Sequence, residues 1–292
     1  MPVDPWMQIA LGGLFGLLVG SFLNVVIYRL PRVMEREWLA DAVAALHPSL
    51  PDEPGESQSL WTQVFGPKRP MPAALAQGAA EAHAQLEALP ALSLSRPRSR
   101  CQKCGHAIRW YENIPILSWL ALRGRCSACG TPIGLRYPLV ELATGLLFAW
   151  CVWRLGWTFT ALCWCGFSAV LVAATLIDWD TTLLPDVLTL PLLWAGLLAA
   201  ALGWTAVPLG DAVWGAAAGY LSLWSVYWGF KLLTGKEGMG AGDFKLFAAL
   251  GAWFGWQALV PIILMASVIG ALVGIGMKFT SGLREGGVVP FG

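Results

Sequence analysis

Charge is what this sequence has least of. Only 13% of its 292 residues are Asp, Glu, Lys or Arg, about half the usual quarter. With 57% hydrophobic residues beside that, the chain is neither intrinsically disordered nor a soluble globule. Its glycines keep no triplet period, which excludes a collagen-like fibre. Seven cysteines in so long a chain do not make a small disulfide scaffold. Histidine is scarce too: there are three, all between residues 29 and 136. No GxSxG, HExxH, Walker or GxGxxG motif occurs. The common serine-hydrolase, metalloprotease, phosphate-cradling and dinucleotide readings therefore fall away.

What remains is apolar sequence in long tracts, with a mean hydropathy of +0.60 and seventeen tryptophans. A membrane-crossing helix needs about 20 predominantly apolar residues. Such tracts run over residues 5–28, 137–153 (broken only by Glu141), 155–177, 187–210 and 212–230. The uncharged tract 246–277 is too long for one upright helix and is predicted to divide near Gly255. The expected fold is an all-α polytopic membrane protein of about seven transmembrane helices. The predicted organisation is a first helix at 1–28, a large loop at 29–136 and a bundle at 137–292. The first tract begins at Asp4 rather than in a basic region and is long, so it reads as a retained span and not a cleaved signal.

Basic residues set the predicted orientation. The loop from Arg29 to Arg136 holds 13 of the 19 Lys and Arg. If it is cytoplasmic and the spans alternate, Lys231, Lys236, Lys245, Lys278 and Arg284 fall on the same side, and only Arg154 lies outside. The N-terminus is then outside and the large loop cytoplasmic. Residues 40–95 read as a polar, Ala- and Pro-rich insertion, with a surface helix predicted over residues 73–89. The ordered part of the loop is predicted to begin near Ser99.

Two CxxC pairs lie there, Cys101–Cys104 and Cys126–Cys129, and each is followed by glycine, Gly105 and Gly130. Four thiolates at this spacing close a tetrahedral Zn²⁺ site, and a closed site folds a loop rather than catalysing. A reducing compartment disfavours structural disulfides. Redox-active thiols and an iron–sulfur cluster are the alternatives to zinc. His106 reads as a solvated side chain or a hydrogen-bonding neighbour of the site. Cys151, Cys163 and Cys165 lie in apolar tracts and read as small buried hydrophobes.

Most acidic residues lie in loops. Asp178 instead ends the apolar run 170–177, and Asp243 stands in Gly240-Ala-Gly-Asp243-Phe-Lys at the start of the sixth span. An acid at a span end can be merely interfacial. Counting alternations, however, brings Asp178 and Asp243 to one depth. Gly240 and Gly242 would permit close backbone approach and unusual dihedrals, leaving room for an extended peptide. Two facing carboxylates share a proton. One can then take a proton from water while the other protonates the carbonyl or the leaving amine. This is the chemistry of aspartic proteolysis. Asp180 lies on a different helix face from Asp178, and Asp186, after Pro185, is expected to cap the fourth span.

These motifs together resemble the bacterial type IV prepilin peptidases, which are GxGD-type membrane aspartic proteases. The resemblance rests on Gly20-Ser-Phe-Leu-Asn-Val-Val-Ile-Tyr-Arg-Leu-Pro31, both CxxC pairs, Glu112-Asn-Ile-Pro115 and Arg136-Tyr-Pro-Leu-Val-Glu-Leu142. It continues in Leu176-Ile-Asp-Trp-Asp180, Leu183-Leu-Pro-Asp186 and Gly235-Lys-Glu-Gly-Met-Gly-Ala-Gly-Asp-Phe-Lys-Leu246. It covers nearly the whole chain except about residues 40–95. It implies a bifunctional inner-membrane enzyme that cuts the basic leader from type IV prepilins and pseudopilins on the cytoplasmic face. The new N-terminal residue is then methylated with S-adenosylmethionine. The family's catalytic aspartates fall on Asp178 and Asp243. The resemblance also implies an eighth helix beyond Pro290-Phe-Gly292. The bilayer and prepilins are the expected partners, and no nucleic acid is expected.

Two other classes are weighed against this. A transporter also places carboxylates at membrane depth, but it would show paired broken helices in two halves and has no need of a four-cysteine loop. An assembly factor of a secretion system would explain the loop but not the paired aspartates.

Overall fold

The computed structural model describes residues 4–46, 60–66, 68–236 and 238–279. Residues 47–59 of the insertion, Arg284 and the segment Pro290–Gly292 beyond which an eighth helix was expected lie outside them. The described residues contain ten α-helices, two short 3₁₀ turns and no strand, only two isolated bridges. They divide into two compact units, Tyr28–Ser99 and the combination of Met1–Ile27 with Arg100–Gly292.

The smaller unit departs from the loop expected after Tyr28. Helix α1, Pro5–Leu46, is 42 residues long and passes straight through Pro31. Two things sustain it beyond the apolar tract. Residues 32–46 are dominated by Arg, Met, Glu, Leu and Ala, all strong helix formers. Arg36 also donates to the carbonyls of Leu86, Leu89 and Pro90 at 3.2, 3.2 and 2.6 Å, and Arg29 to those of Ser93 and Leu94 at 3.1 and 3.3 Å. Those carbonyls include the orphans at the C-terminal end of α3, Ala73–Glu87. This is the predicted surface helix. Ordered structure therefore begins well before Ser99, since α2, Leu60–Phe65, is also present, with Trp61 and Phe65 in ring contact at 4.3 Å.

In the larger unit a five-residue helix, α4 (Leu117–Ala121), follows the cysteine pairs' first half. Then come α5, Arg136–Leu155, and α6, Phe159–Thr181. They form an antiparallel hairpin: Gly156 at φ 65° closes α5, and Thr158 caps α6 by accepting the Ala161 N–H at 3.1 Å. The remaining helices are α7, Asp186–Ala201, α8, Leu209–Thr234, α9, Ala241–Phe254, and α10, Leu259–Phe279. The long tract divides as expected at Gly255, φ 80°. Helices thus occupy all seven predicted tracts. Among the described residues, four are long and apolar enough to cross a membrane: α1, α5, α6 and the Trp256–Gly276 stretch. Helix α7 is apolar but shorter. Gly, Ser, Trp and Tyr dilute the aliphatic residues of α8, and α9 is only 14 residues long.

Close backbone approach holds the bundle, as expected where lipid supplies no hydrophobic drive between helices. A Cβ on Gly215 of α8 would be driven into the carbonyl of Gly251 of α9, and one on Gly251 into that of Gly215. Nearby, Trp253 is 2% exposed and donates its indole N–H to the Leu192 carbonyl of α7 at 2.8 Å. Gly196 makes that contact possible, because a Cβ there would come within 2.8 Å of the indole nitrogen. Phe167 of α6 and Ala249 complete this core.

Candidate active site and metal loop

Six of the eleven charged residues of α5–α10, Arg136, Asp178, Asp180, Asp186, Asp243 and Lys245, lie near the end of α6 or the starts of α5, α7 and α9. Asp178, in the last turn of α6, is 5% exposed. The helix closes just beyond it, with Thr182 in the left-handed region (φ 56°) donating its N–H to the Asp178 carbonyl at 2.8 Å. Asp243 sits in the first turn of α9, a position the helix macrodipole favours for an acid. It is half-buried, and the charge of Asp178 acts directly on it. The two acids singled out in the sequence are therefore electrostatic neighbours.

Two ion pairs flank them. Arg136, at the start of α5, meets Asp180 at 2.8 Å and also donates to the Leu176 carbonyl at 3.2 Å. Asp180 thus faces α5, as its different helical register implied. Lys245 binds both carboxylate oxygens of Asp186 at 2.7 and 2.6 Å. The expectation for Asp186 is corrected here. Pro185 is the N-cap of α7 and no side-chain cap bond forms; Asp186 is spent on Lys245 instead. The glycine reading also changes. Gly240 has ordinary dihedrals, φ −77° and ψ 149°. The space beside Gly242 is filled, since a Cβ there would lie 2.6 Å from the Leu184 Cβ. Gly242 seats α9 against the α6–α7 turn rather than leaving a slot for peptide.

The cysteine loop is built from two matching knuckles. Cys101 N–H donates to the His106 carbonyl and Gly105 N–H to the Cys101 carbonyl, each at 2.9 Å. The second knuckle repeats both bonds at the same length, Cys126 to Thr131 and Gly130 to Cys126. Gly105 and Gly130 take φ of 73° and 68°, the left-handed turn that glycine makes cheaply. All four sulfurs lie within 4.8 Å of one another. The Cys101 and Cys129 sulfurs are 3.8 Å apart; a tetrahedron with bonds of about 2.3 Å has edges of about 3.8 Å. The donor set therefore suits a tetrahedral metal. The Thr131 hydroxyl and N–H hold the Cys129 thiol down to about 6, which favours the thiolate a metal needs. His106 is not among the four. Its Nε2 lies 3.3 Å from Glu112 Oε2 and from Ser127 Oγ. Glu112 also accepts the Arg109 N–H at 2.8 Å, and these bonds lower its carboxyl to about 2. Cys151 and Cys165 are buried in the bundle, as read from the sequence, and Cys163 is partly buried.

Sequence reasoning passed over Glu141, which looked like a flaw in an apolar tract. It is 8% exposed and accepts the Ile116 N–H at 2.8 Å. Ile116 has φ 58° and ψ −49°, a strained setting for a β-branched residue. The Leu117 N–H closes a γ-turn around it onto the Pro115 carbonyl at 2.5 Å. A buried acid in α5 thus pins a strained turn of the cysteine loop. Its one sequence signal was being the lone charge in its tract.

Fold and site together define a helical membrane protein with paired carboxylates at one end of its bundle and a metal-competent cysteine loop. Residues 14–155 match the family described as the bacterial peptidase A24 N-terminal domain, and residues 165–275 match the type IV leader peptidase family. The chain is 50% identical over 291 residues to a prepilin leader peptidase/N-methyltransferase of Aeromonas hydrophila, covering 99% of this chain and 87% of that protein. It is 48% identical over 279 residues to the protein of that name from Pseudomonas aeruginosa, covering 96% and 84%. To the one from Burkholderia pseudomallei it is 46% identical over 287 residues, covering 98% and 82%. No solved structure matches the chain. The chain belongs to the type IV leader peptidase family.

Proposed function

We propose that this chain cleaves the leader peptide of type IV prepilins and pseudopilins through Asp178 and Asp243, then N-methylates the new N-terminal residue. The observation that carries the peptidase reading is that the end of α6 and the start of α9 bring two acids far apart in sequence, Asp178 buried and Asp243 half-buried, within electrostatic reach of each other. One carboxylate accepts a proton from the attacking water. The other, holding the shared proton, donates it to the scissile carbonyl oxygen, and the protons return as the amine leaves. Lys245 and Arg136 act on this chemistry only by holding the elements that carry the acids.

Cys101, Cys104, Cys126 and Cys129 would hold a structural Zn²⁺, which when bound cross-links the two knuckles. S-adenosylmethionine is the methyl donor that the family resemblance implies. The setting is the bacterial inner membrane, with the N-terminus outside and the large loop cytoplasmic. The distribution of basic residues supports that orientation.

The test is mass spectrometry of a prepilin incubated with the detergent-solubilised protein, which reads the cleavage site and methylation together. Asp178→Asn and Asp243→Asn should each abolish cleavage, and the double variant should be no worse, because residues that act as one unit fail together. Asp180→Asn should retain more activity. A single Asn variant of either acid cutting at near the parental rate would remove that acid from the mechanism.

A further inference from the structure

A groove of about 740 Å³ runs along the α5–α6 hairpin, lined by Leu147 of α5, Trp164, Leu171 and Leu176 of α6, and Phe254 of α9. Arg154 stands at its turn end, in the last turn of α5. Its far end, at Leu176, stops just short of Asp178. From Trp164 to Leu176 the groove follows α6 for about 18 Å at 1.5 Å per residue. Ser168 and Thr175 supply its only hydroxyls, and Ser168 is already bonded to the Cys165 carbonyl at 2.9 Å.

Arg154 is the one charged residue of the lining. It is exposed and forms no ion pair among the described residues. Its guanidinium lies over the face of Trp153, at 5.6 Å, and among the described residues no acceptor takes its N–H donors. A cation at a helix C-terminus is favourable in its own right. That explains a positive charge there but not an apolar channel leading away from it.

We infer that this groove binds one anionic phospholipid, with its acyl chain along α6 and its phosphate on Arg154. The guanidinium fork matches a phosphate bidentately. The lining offers no carboxylate to receive the ammonium of a zwitterionic headgroup, so charge selects an anionic one.

The full chain, exchanged into an equimolar mixture of phosphatidylglycerol and phosphatidylethanolamine, should retain phosphatidylglycerol preferentially in native mass spectrometry. Arg154→Gln should lower that preference by on the order of ten-fold, the loss of one charge-assisted contact, and Arg154→Lys should lower it less. Leu171→Trp, its folding checked by circular dichroism, should expel the lipid. A photo-crosslinker at position 171 should capture lipid when both lipid and prepilin are present. An unchanged preference in Arg154→Gln, full retention in folded Leu171→Trp, or capture of prepilin at position 171 would each overturn the assignment.

Discussion

Lys245 grips both carboxylate oxygens of Asp186, at 2.7 and 2.6 Å, and so joins the first turn of α9 to the first turn of α7. The same two elements touch again where Gly242 abuts Leu184. Asp243 lies between these two points of contact in sequence, and the turn that they hold begins just after Asp178. The alignment of the two acids therefore depends on groups that are not acids of the pair.

Replacing Lys245 should show this in the kinetics rather than in stability. The pair is partly exposed, with 27% and 52% of the two side chains accessible, and such pairs contribute about 1 kcal/mol or less. A misplacement of about 1 Å at a reacting centre, by contrast, costs roughly a hundredfold in rate. Lys245→Met should lower kcat for prepilin cleavage about ten- to hundredfold, leaving KM within about twofold and the melting temperature nearly unchanged. Lys245→Arg should restore much of the rate. A Lys245→Met enzyme with normal kcat would show that the bridge does not position the acids.

The metal loop gives a second prediction. Cys101→Ser or Cys126→Ser removes one of four sulfurs whose mutual spacing already suits a tetrahedral ion. Metal content measured by plasma emission should fall from about one zinc per chain to well under half. Protease sensitivity should rise between Ser99 and Arg136, because metal binding and folding are coupled. Preparations of the parent protein without zinc, or variants with undiminished content, would sink this reading.

How much of this was readable in advance follows from where each determinant sits. Gly255 and the paired CxxCG knuckles act locally, through backbone dihedrals that their own residues dictate, and the structure places them as expected. Hydrophobic runs likewise located the helices of the bundle. The continuation of α1 through Pro31 had a local signal in the helix formers of residues 32–46, but its other support, Arg29 and Arg36 reaching carbonyls of residues 86–94, was hidden. Asp186 was misread for the same reason: its partner, Lys245, lies 59 residues away. Gly242 looked like free space until Leu184 was found in it. Local rules are legible one residue at a time, whereas partners far along the chain are not.

The orientation is open to direct test. Reporter fusions at Gln77, within α3, should behave as cytoplasmic, and fusions at Trp157 and Leu209 as external. The reasoning is that the loop carrying 13 of 19 basic residues stays on the cytoplasmic side. The inverse pattern would put Asp178 and Asp243 on the wrong side for a cytoplasmic leader peptide.

The final prediction concerns Glu141 and Ile116. A residue held at a sparsely populated φ costs of order 1–3 kcal/mol and persists only where its surroundings impose it. Here the imposing contact is the 2.8 Å bond from the Ile116 N–H to the Glu141 carboxylate. Glu141→Gln keeps an acceptor of the same reach and should leave the turn intact. Glu141→Leu removes it, leaving the Ile116 amide without its partner at a further cost of about 1–3 kcal/mol. The turn should then open, and hydrogen exchange at the amide of residue 116 should accelerate at least about tenfold. Ile116→Gly removes the steric part of the strain, so adding it to Glu141→Leu should recover part of the lost protection across residues 114–121. Equal protection of that segment in the parent and in Glu141→Leu would mean that the buried acid does not hold the loop.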